Sequence, residues 1–594
     1  MKNFFKPASL NEAQQTAKKM VQELIRPHRK SVIIALILNL VVGISVAFQN
    51  VVPKYIIDDA LLKEGLSINE KKQRLLMYAA CYVFVGIVMR AWLWHGSLRI
   101  FGKVHEDCVS QLRARFFNHV NRLCISFHHR HNSGELFSYL FGSPLGNIQQ
   151  YYRQVAMMLP SQAVSLVMTL LFLGSWDLLL TGIIILSVGV HFAVQTHARL
   201  QMRKIHHDYQ QTEAAVSGKV ADMLRGHQAM KLHAVEDSAA RDFNKELVVI
   251  HQKAYRRDVR SHLQQVKQES VLYVGYAILC ITAGWRFLGG EISQGQLTAY
   301  LTSFIALQGP LQTFFQIALL KGSSQASMER LGNLLATQSS TPEPEQRFEE
   351  PPRNGDIQLN DVSFAYNQTP VLRNVTITIP YGQKVALVGP SGAGKSTIAQ
   401  LLLRLYDPQS GNITFDNIDL KNILGSEHRR RFGVVPQDPY MFNCSLRDNL
   451  TLVDAHADDA KLQKVLEEAN AWEFVKQMPN GLDTLLGEGG SMISGGQRQR
   501  LAIARALLTD PSYFVFDEAT SALDTLSEQL IKEAMNRVTE GKTAIFIAHR
   551  LASVENLDRI LVVVEGQIVQ DGRYDELAVT PGTFQDLLKT QTLH

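Results

Sequence analysis

The sequence predicts two domains of different fold class, an α-helical domain that crosses a membrane six times and an α/β domain that follows it. Three observations lead to this prediction. Six long apolar runs occupy the first half of the 594 residues, a segment with four prolines follows, and short β-branched runs then alternate with helical patterns. The predicted boundaries are 1–30 for a cytoplasmic lead-in helix, 31–335 for the membrane domain, 336–354 for a linker and 355–594 for the α/β domain.

The apolar runs determine the count of six spans. A helix needs about 20 largely apolar residues to cross the hydrocarbon core of a bilayer. The runs lie near 31–52, 75–95, 154–175, 178–195, 268–289 and 297–320. Arg90, His191 and Arg286 fall within or near them, where charge is costly. The two arginines are expected either to reach the interface along their aliphatic stems or to meet anionic groups.

The loops of the membrane domain alternate in length. Segments 96–153 and 196–267 are long and rich in Lys, Arg and His, whereas 175–177 and 289–296 are short. The positive-inside rule therefore places the N-terminus and the long loops in the cytoplasm, with the basic loop 53–74 as a weak counterexample. Both long segments have helical periodicity. We expect each to extend its spans as a hairpin, roughly 35–40 Å at 1.5 Å per residue, toward the domain that follows.

Composition narrows the protein class. The net charge of +5 is too small to imply a nucleic-acid partner. The five cysteines are scattered without a CxxC pair, which supports neither a disulfide framework nor a zinc site. Met1 is followed by a polar, Lys-containing segment, so no cleavable signal peptide is expected. The apolar runs instead make membrane lipids an expected partner.

A glycine-rich turn stands between a strand and a helix in the second domain and has the spacing GxxxxGK[ST]. Its residues are Gly389, Pro390, Ser391, Gly392, Ala393, Gly394, Lys395, Ser396 and Thr397. The glycines let backbone N–H groups turn toward an anion at the N-terminus of the helix. We expect Lys395 to reach the β- and γ-phosphates of ATP and the Ser396 hydroxyl to bind Mg²⁺.

Four further residues fit the same chemistry. The apolar strand 512–516 ends in Asp517, which can hold Mg²⁺, and Glu518, which can orient or activate the attacking water. His549 follows another apolar strand and can contact the γ-phosphate, although a structural role is commoner for a lone histidine. Tyr366 can stack on adenine or pack in the core.

A second glycine-rich turn before a helix has no role inside a single nucleotide site. It comprises Ile493, Ser494, Gly495, Gly496 and Gln497, about 100 residues beyond the first turn. If both turns contact one ATP, two domains must lie head to tail, each closing the other's site. A chain with one copy of each motif is then expected to form a homodimer.

These motifs together resemble those of an ATP-binding cassette (ABC) domain. The turn 389–397 is similar to its Walker A loop, 493–497 to its LSGGQ signature with Ile for Leu, and 514–518 to its Walker B strand with the catalytic glutamate. The resemblance implies ATP and Mg²⁺ as cofactors, Gln437 as the Q-loop glutamine with catalytic and metal-binding roles, and Asp517 and Ser396 as metal ligands. It further implies a D-loop at 521–524 that brings Asp524 to the nucleotide, a switch histidine at His549, an adenine-stacking role for Tyr366 and an exporter-specific loop at 487–489.

The first half resembles the six-helix membrane domain of ABC exporter (type IV) half-transporters. Segment 134–136 is similar to the end of their first cytoplasmic hairpin, and 225–236 is similar to the descending arm of the second. Segment 139–144 departs from the usual polar run around the first coupling helix. The resemblance implies ATP-driven export of a small amphipathic or apolar substrate, such as a lipid, drug or peptide, by alternating access of a homodimer. It also implies a multi-pass protein of the cytoplasmic (inner) membrane with its cassette in the cytoplasm.

Three alternatives stay open. A few proteins of this architecture are similar to importers, for example of iron carriers. A heterodimer with a related chain would also complete the two sites. A soluble ABC ATPase with a helical first half is a third reading, against which the runs between 154 and 195 argue. The sequence does not identify the transported substrate or the residues that line its path.

Overall fold

The computed structural model describes residues 19–344, 353–367, 369–519, 524–548 and 550–592. Contacts between these residues divide them into two compact units. One contains 19–121 and 133–337, and the other contains Arg122–Asn132 together with the described residues from Gln338 onward. The short segment Arg122–Asn132 therefore belongs with the α/β unit although it lies within the first half of the chain.

Six helices of the described residues are long and apolar enough to cross a membrane, as predicted. In chain order, with two short helices that join them, they are α1 (Lys19–Leu61), α2 (Ile68–Asn121), α3 (Ile125–Arg130), α4 (Ser133–Gly174), α5 (Leu178–Arg225), α6 (His227–Leu232), α7 (Glu236–Leu288) and α8 (Gln294–Leu335). Helices α1 and α2 contain π-helical segments at Ile56–Leu61 and Val85–Trp92. Each predicted apolar run lies on a different one of the six long helices.

The long helices extend beyond bilayer thickness, as predicted from the periodicity of the loops. Helix α5 has 48 residues and α7 has 53, about 70 and 80 Å at 1.5 Å per residue. The short helix α6 joins α5 to α7. The corresponding turn between α2 and α4 is α3, so the tip of the first hairpin lies at 125–130. The sequence comparison with half-transporters had placed the end of that hairpin near 134–136.

Small and polar residues allow the membrane helices to pack closely. A Cβ on Gly43 of α1 would lie 2.5 Å from the Ser161 carbonyl oxygen of α4, so only glycine permits this approach. Between α1 and α2, the buried Asn39 side chain donates to Ser97 Oγ at 2.7 Å. Interhelical hydrogen bonds of this kind contribute about 0.6 kcal/mol on average.

The ionisable residues singled out in the spans have partners within the unit. Arg286 forms ion pairs with Asp177 at 2.8 Å and Glu291 at 2.6 Å, beside the short loops that follow α4 and α7. His191 Nδ1 lies 3.2 Å from the Gln268 carbonyl oxygen. The ion pairs of Arg286 therefore account for its position by interactions within the protein.

The α/β unit contains two sheets among its described residues. Its strands are β1 (Ile357–Tyr366), β2 (Thr369–Ile379), β3 (Lys384–Val388), β4 (Ser410–Phe415), β5 (Ile418–Asp419), β6 (Phe432–Val435), β7 (Tyr513–Asp517), β8 (Thr543–Ile547), β9 (Arg559–Val564) and β10 (Gln567–Gly572). The larger sheet has the order β10-β9-β3-β8-β7-β6, in which only β10 runs antiparallel to its neighbour. The smaller sheet, β2-β1-β4-β5, is antiparallel.

The helices that follow in this unit are α9 (Lys395–Leu402), α10 (Gly425–Arg429), α11 (Leu446–Thr451), α12 (Asp459–Glu468), α13 (Trp472–Val475), α14 (Gly495–Leu507), α15 (Thr525–Val538), α16 (Tyr574–Val579) and α17 (Thr583–Thr592). Strands β3, β7 and β8 of the larger sheet are almost wholly buried, which explains their continuous β-branched and aromatic runs. Strands β3, β8 and β7 are adjacent and parallel, so their carboxyl ends meet at one edge. Ligands of such sheets bind at that edge.

Candidate functional site

The phosphate loop follows β3 and depends on glycine at its first position. Gly389 has φ +148°, and a Cβ there would lie 2.0 Å from the Val563 carbonyl oxygen. Gly394 adopts the left-handed conformation that opens α9. The Lys395 ammonium group donates to the carbonyl oxygens of Gly389 and Pro390, both at 2.9 Å. Lys395 thus lies against its own loop, and burial lowers its pKa.

Ser396, in the first turn of α9, contacts Asp517 at the end of β7. Ser396 Oγ donates to Asp517 Oδ1 at 3.2 Å. Burial raises the pKa of the Asp517 carboxyl group, an effect that the Ser396 hydrogen bond opposes. A hydroxyl and a carboxylate at this separation are hard oxygen ligands of the type that Mg²⁺ takes alongside phosphate oxygens and water. The two side chains therefore fit a Mg²⁺ ion bound with a nucleotide.

Glu518 lies next to Asp517 and is held on both sides. Its backbone N–H donates to the Ile547 carbonyl oxygen at 3.0 Å, and its φ of +47° turns the chain away from β7. Gln437 Nε2 donates to Glu518 Oε2 at 2.9 Å. The structure thus brings the predicted Q-loop glutamine and the predicted catalytic carboxylate into direct contact.

Gln499 supports this arrangement and was not identified from the sequence. It is buried on α14, and its Nε2 donates to the carbonyl oxygens of Gln437 at 2.7 Å and Pro436 at 3.1 Å. The helix that follows the second glycine-rich turn is therefore tied to the backbone of the Q-loop. A glutamine on the buried face of an amphipathic helix was the available signal, because such a side chain must find a polar partner.

The second glycine-rich turn begins α14 with a capping box. Ser494 Oγ accepts from the Gln497 N–H at 3.2 Å, and the Gln497 side-chain oxygen accepts from the Ser494 N–H at 2.9 Å. Gly495 and Gly496 form the first turn of the helix. Ser494 is exposed, so this helix N-terminus faces outward from the unit with its positive dipole end.

Tyr366 lies at the end of β1 with its hydroxyl directed at α9. The hydroxyl donates to Gln400 Oε1 at 2.6 Å and lies 3.3 Å from Thr397 Oγ1. Its ring packs edge-to-face on Phe364 and Tyr406, with centroids 4.9 and 5.3 Å apart. The residue therefore packs in the core and also contacts the helix that follows the phosphate loop, and its adenine-stacking role stays a prediction.

Asp524 is placed by the structure at a helix N-terminus. Its carboxylate accepts from the Ser527 N–H at 3.0 Å and caps α15, and this hydrogen bond lowers its pKa. The other predicted D-loop residues, 521–523, lie outside the described residues, and so does His549.

Comparison with known proteins agrees with this architecture. Residues 372–521 match the family described as ABC transporter, and residues 32–311 match the ABC transporter transmembrane region. The ATP-dependent lipid A-core flippase of Vibrio cholerae is 33% identical over 501 residues, which cover 82% of this chain and 84% of the relative. The protein of the same name from Desulfotalea psychrophila is 28% identical over 580 residues, covering 97% and 99%. The structure of a bacterial Atm1-family ABC exporter with ATP bound has a TM-score of 0.84 at 24% identity, covers 96% of this chain and 100% of that one, and shares the fold.

Proposed function

Because this chain belongs to the ABC transporter family and is an ATP-hydrolysing membrane transporter of the exporter fold, we propose that it moves an amphipathic lipid out of the cytoplasmic leaflet of the inner membrane. The observation that carries the lipid assignment is the similarity to two proteins named ATP-dependent lipid A-core flippase along most of their length. Lipids, drugs and small peptides are the substrate classes that the sequence left open, and this similarity favours the first.

We assign the binding of ATP phosphates to the loop 389–397. Its backbone N–H groups and the dipole of α9 attract the anion. Lys395 then exchanges the carbonyl oxygens that it contacts for the β- and γ-phosphate oxygens, which offer it a full negative charge. Loss of ATP affinity in Lys395→Ala is the test of this assignment.

Ser396, Asp517 and the Gln437 side-chain oxygen are the proposed ligands of Mg²⁺. When bound, the ion neutralises charge on the phosphate oxygens. Glu518 orients the attacking water and accepts its proton. The hydrogen bond from Gln437 to Glu518 makes the position of the carboxylate sensitive to the Q-loop.

We propose that two copies of the chain form a homodimer in which Ser494 and its turn complete the site of the other copy. The exposed N-terminus of α14 supports this assignment, because a helix N-terminus binds phosphate and α14 begins far from the phosphate loop in sequence. To move an open-to-closed equilibrium from 1:99 to 99:1, ATP must favour the closed dimer by about 10⁴-fold, near 5.5 kcal/mol. Several charge-assisted contacts at about 1.5–3 kcal/mol each are sufficient.

The proposed orientation places the N-terminus, both hairpins and the cassette in the cytoplasm. The basic character of the long loops supports it. In this orientation ATP hydrolysis and lipid uptake occur on the same side of the membrane.

The test is lipid movement by purified protein in liposomes whose cassettes face outward. Fluorescent derivatives of lipid A, phosphatidylglycerol and phosphatidylcholine are placed in the outer leaflet, Mg-ATP is added outside, and a membrane-impermeant quencher reports what remains there. We expect ATP-dependent loss of at least one anionic lipid from the outer leaflet, absent in Glu518→Gln. Movement in the opposite direction would instead indicate an importer. No lipid movement, together with ATPase stimulation by a drug or peptide panel, would refute the lipid assignment.

A further inference from the structure

We propose that helix α3 positions the base-binding tyrosine: His129 acts on Tyr366 through Tyr406, and Arg130 acts on it through Asn367. The first hairpin of the membrane domain would thereby determine how tightly the cassette holds the base of ATP. The inference deepens the proposed function and rests on one part of it, the assignment of Tyr366 to adenine.

The first line of contact runs through an aromatic pair. His129 Nδ1 and the Tyr406 hydroxyl are 3.2 Å apart, which is hydrogen-bond distance. Tyr406 is buried, and its ring meets that of Tyr366 edge-to-face at 5.3 Å and 84°. A shift of α3 is therefore transmitted to the ring of Tyr366 through one buried side chain.

The second line of contact reaches the residue that follows Tyr366 in the chain. An Arg130 guanidinium nitrogen donates to the Asn367 side-chain oxygen at 3.1 Å. Asn367 has φ +58° and turns the chain at the end of β1. Because it is covalently joined to Tyr366, its position constrains the backbone on which the tyrosine ring stands.

Helix α3 is anchored to the cassette at its other end. Ile125 packs against the core cluster of the α/β unit. Just before the helix, Cys124 accepts a hydrogen bond from Ser340 Oγ at 3.1 Å, and Ser126 Oγ lies 3.2 Å from the same hydroxyl. The helix is thus held in this unit at both of its ends, and its neighbours in sequence are the membrane helices α2 and α4.

The hydroxyl end of Tyr366 is held by the helix that follows the phosphate loop, since it donates to Gln400 on α9. A ring that stacks on a base must present one face to it, and the edge contact with Tyr406 determines which face remains accessible. Coupling between two sites is reciprocal. A membrane-domain state that moves α3 therefore changes ATP affinity, and ATP binding favours one position of α3 by the same factor.

The test measures nucleotide affinity of the full-length dimer in nanodiscs without transported substrate. Tyr406→Phe removes the hydroxyl and keeps the ring, whereas His129→Ala and Arg130→Gln change exposed side chains. We expect each variant to raise the KM for ATP about two- to fivefold, or about 0.4–1 kcal/mol at 1.36 kcal/mol per decade, with kcat changed less than twofold. The double variant His129→Ala/Tyr406→Phe should have a KM for ATP no higher than that of the more strongly affected single variant, because both substitutions break the same hydrogen bond.

Inorganic tripolyphosphate has no base, so its binding distinguishes a change in the position of Tyr366 from general damage to the nucleotide site. Its inhibition constant should be unchanged in all three variants, and Tyr574→Phe, a matched change on α16, should leave both ligands unaffected. The inference would be overturned if a variant weakened the binding of ATP and of tripolyphosphate equally. It would also be overturned if Tyr366→Ala raised the KM for ATP while Tyr406→Phe left it unchanged. An unchanged KM in Tyr366→Ala would remove both the base assignment and the inference. None of these results depends on whether lipid is transported.

Discussion

Glu518→Gln tests the central step of the proposed chemistry with little change in shape. The substitution removes one negative charge at the end of β7. The backbone N–H there donates to the Ile547 carbonyl oxygen at 3.0 Å, and glutamine retains this N–H. The amide oxygen of the substituted side chain can still accept a hydrogen bond from Gln437 Nε2, which lies 2.9 Å from the Glu518 carboxylate in the unsubstituted protein. The phosphate loop and Lys395 are untouched, so ATP binding should persist.

The expected loss of turnover follows from the role of a general base. Such a group contributes 10²- to 10⁴-fold to the rate, about 2.7–5.5 kcal/mol in the barrier. Because binding is retained while hydrolysis stops, the variant should accumulate as a closed dimer that carries ATP. The closed state is then stabilised by ligand binding with no step that releases it.

The assay measures phosphate release at saturating Mg-ATP and counts nucleotides that remain bound after rapid desalting. Glu540→Gln, an identical change at an exposed position on the same unit, is the control and should hydrolyse ATP normally. Hydrolysis by Glu518→Gln within fivefold of the unsubstituted protein would refute the assignment of Glu518 as the base.

Three further predictions concern the loop, the dimer and the fold. Lys395→Ala should weaken ATP binding by about 10- to 150-fold, since hydrogen bonds to charged groups contribute about 1.5–3 kcal/mol; equilibrium binding of a fluorescent ATP analogue measures it, and unchanged affinity would remove Lys395 from the site. Ser494→Arg in one subunit of a tagged mixed dimer should remove at least about half of the ATPase activity by damaging the partner's site, whereas full activity would argue against shared sites. Tyr513→Phe should lower the melting temperature of the full-length protein by roughly 2–10 °C, because its buried hydroxyl donates to and accepts from the Gly355 backbone at 2.7 Å and its loss leaves those groups unsatisfied; an unchanged melting transition would contradict this.

Local sequence patterns were sufficient to predict the main architecture of the protein. The six apolar runs predicted six spanning helices because a bilayer imposes a minimum length on any helix that crosses it. The loop 389–397 was predicted because phosphate binding needs glycine and lysine at set intervals along a continuous segment. The approach of Gly389 to Val563 shows why no other residue fits the first position.

Such local patterns did not predict the contacts between segments that are distant in the sequence. The sequence placed the end of the first hairpin near 134–136, whereas the helix that joins the cassette unit is α3 at 125–130. Six residues carry too little periodicity to mark a docking helix. Gln499 was missed for a related reason, because its partners at 436–437 lie about 60 residues away and are backbone atoms.

The sequence by itself determined the order of the two domains, the number of membrane helices and the identity of the nucleotide motifs, since each depends on residues close together in the chain. Only the tertiary structure decided which motif side chains meet. The pairs Ser396 with Asp517 and Gln437 with Glu518 are separated by 121 and 81 positions. The order of the parallel strands brings them to one sheet edge, and strand order is set by packing of the whole unit, which no short segment encodes.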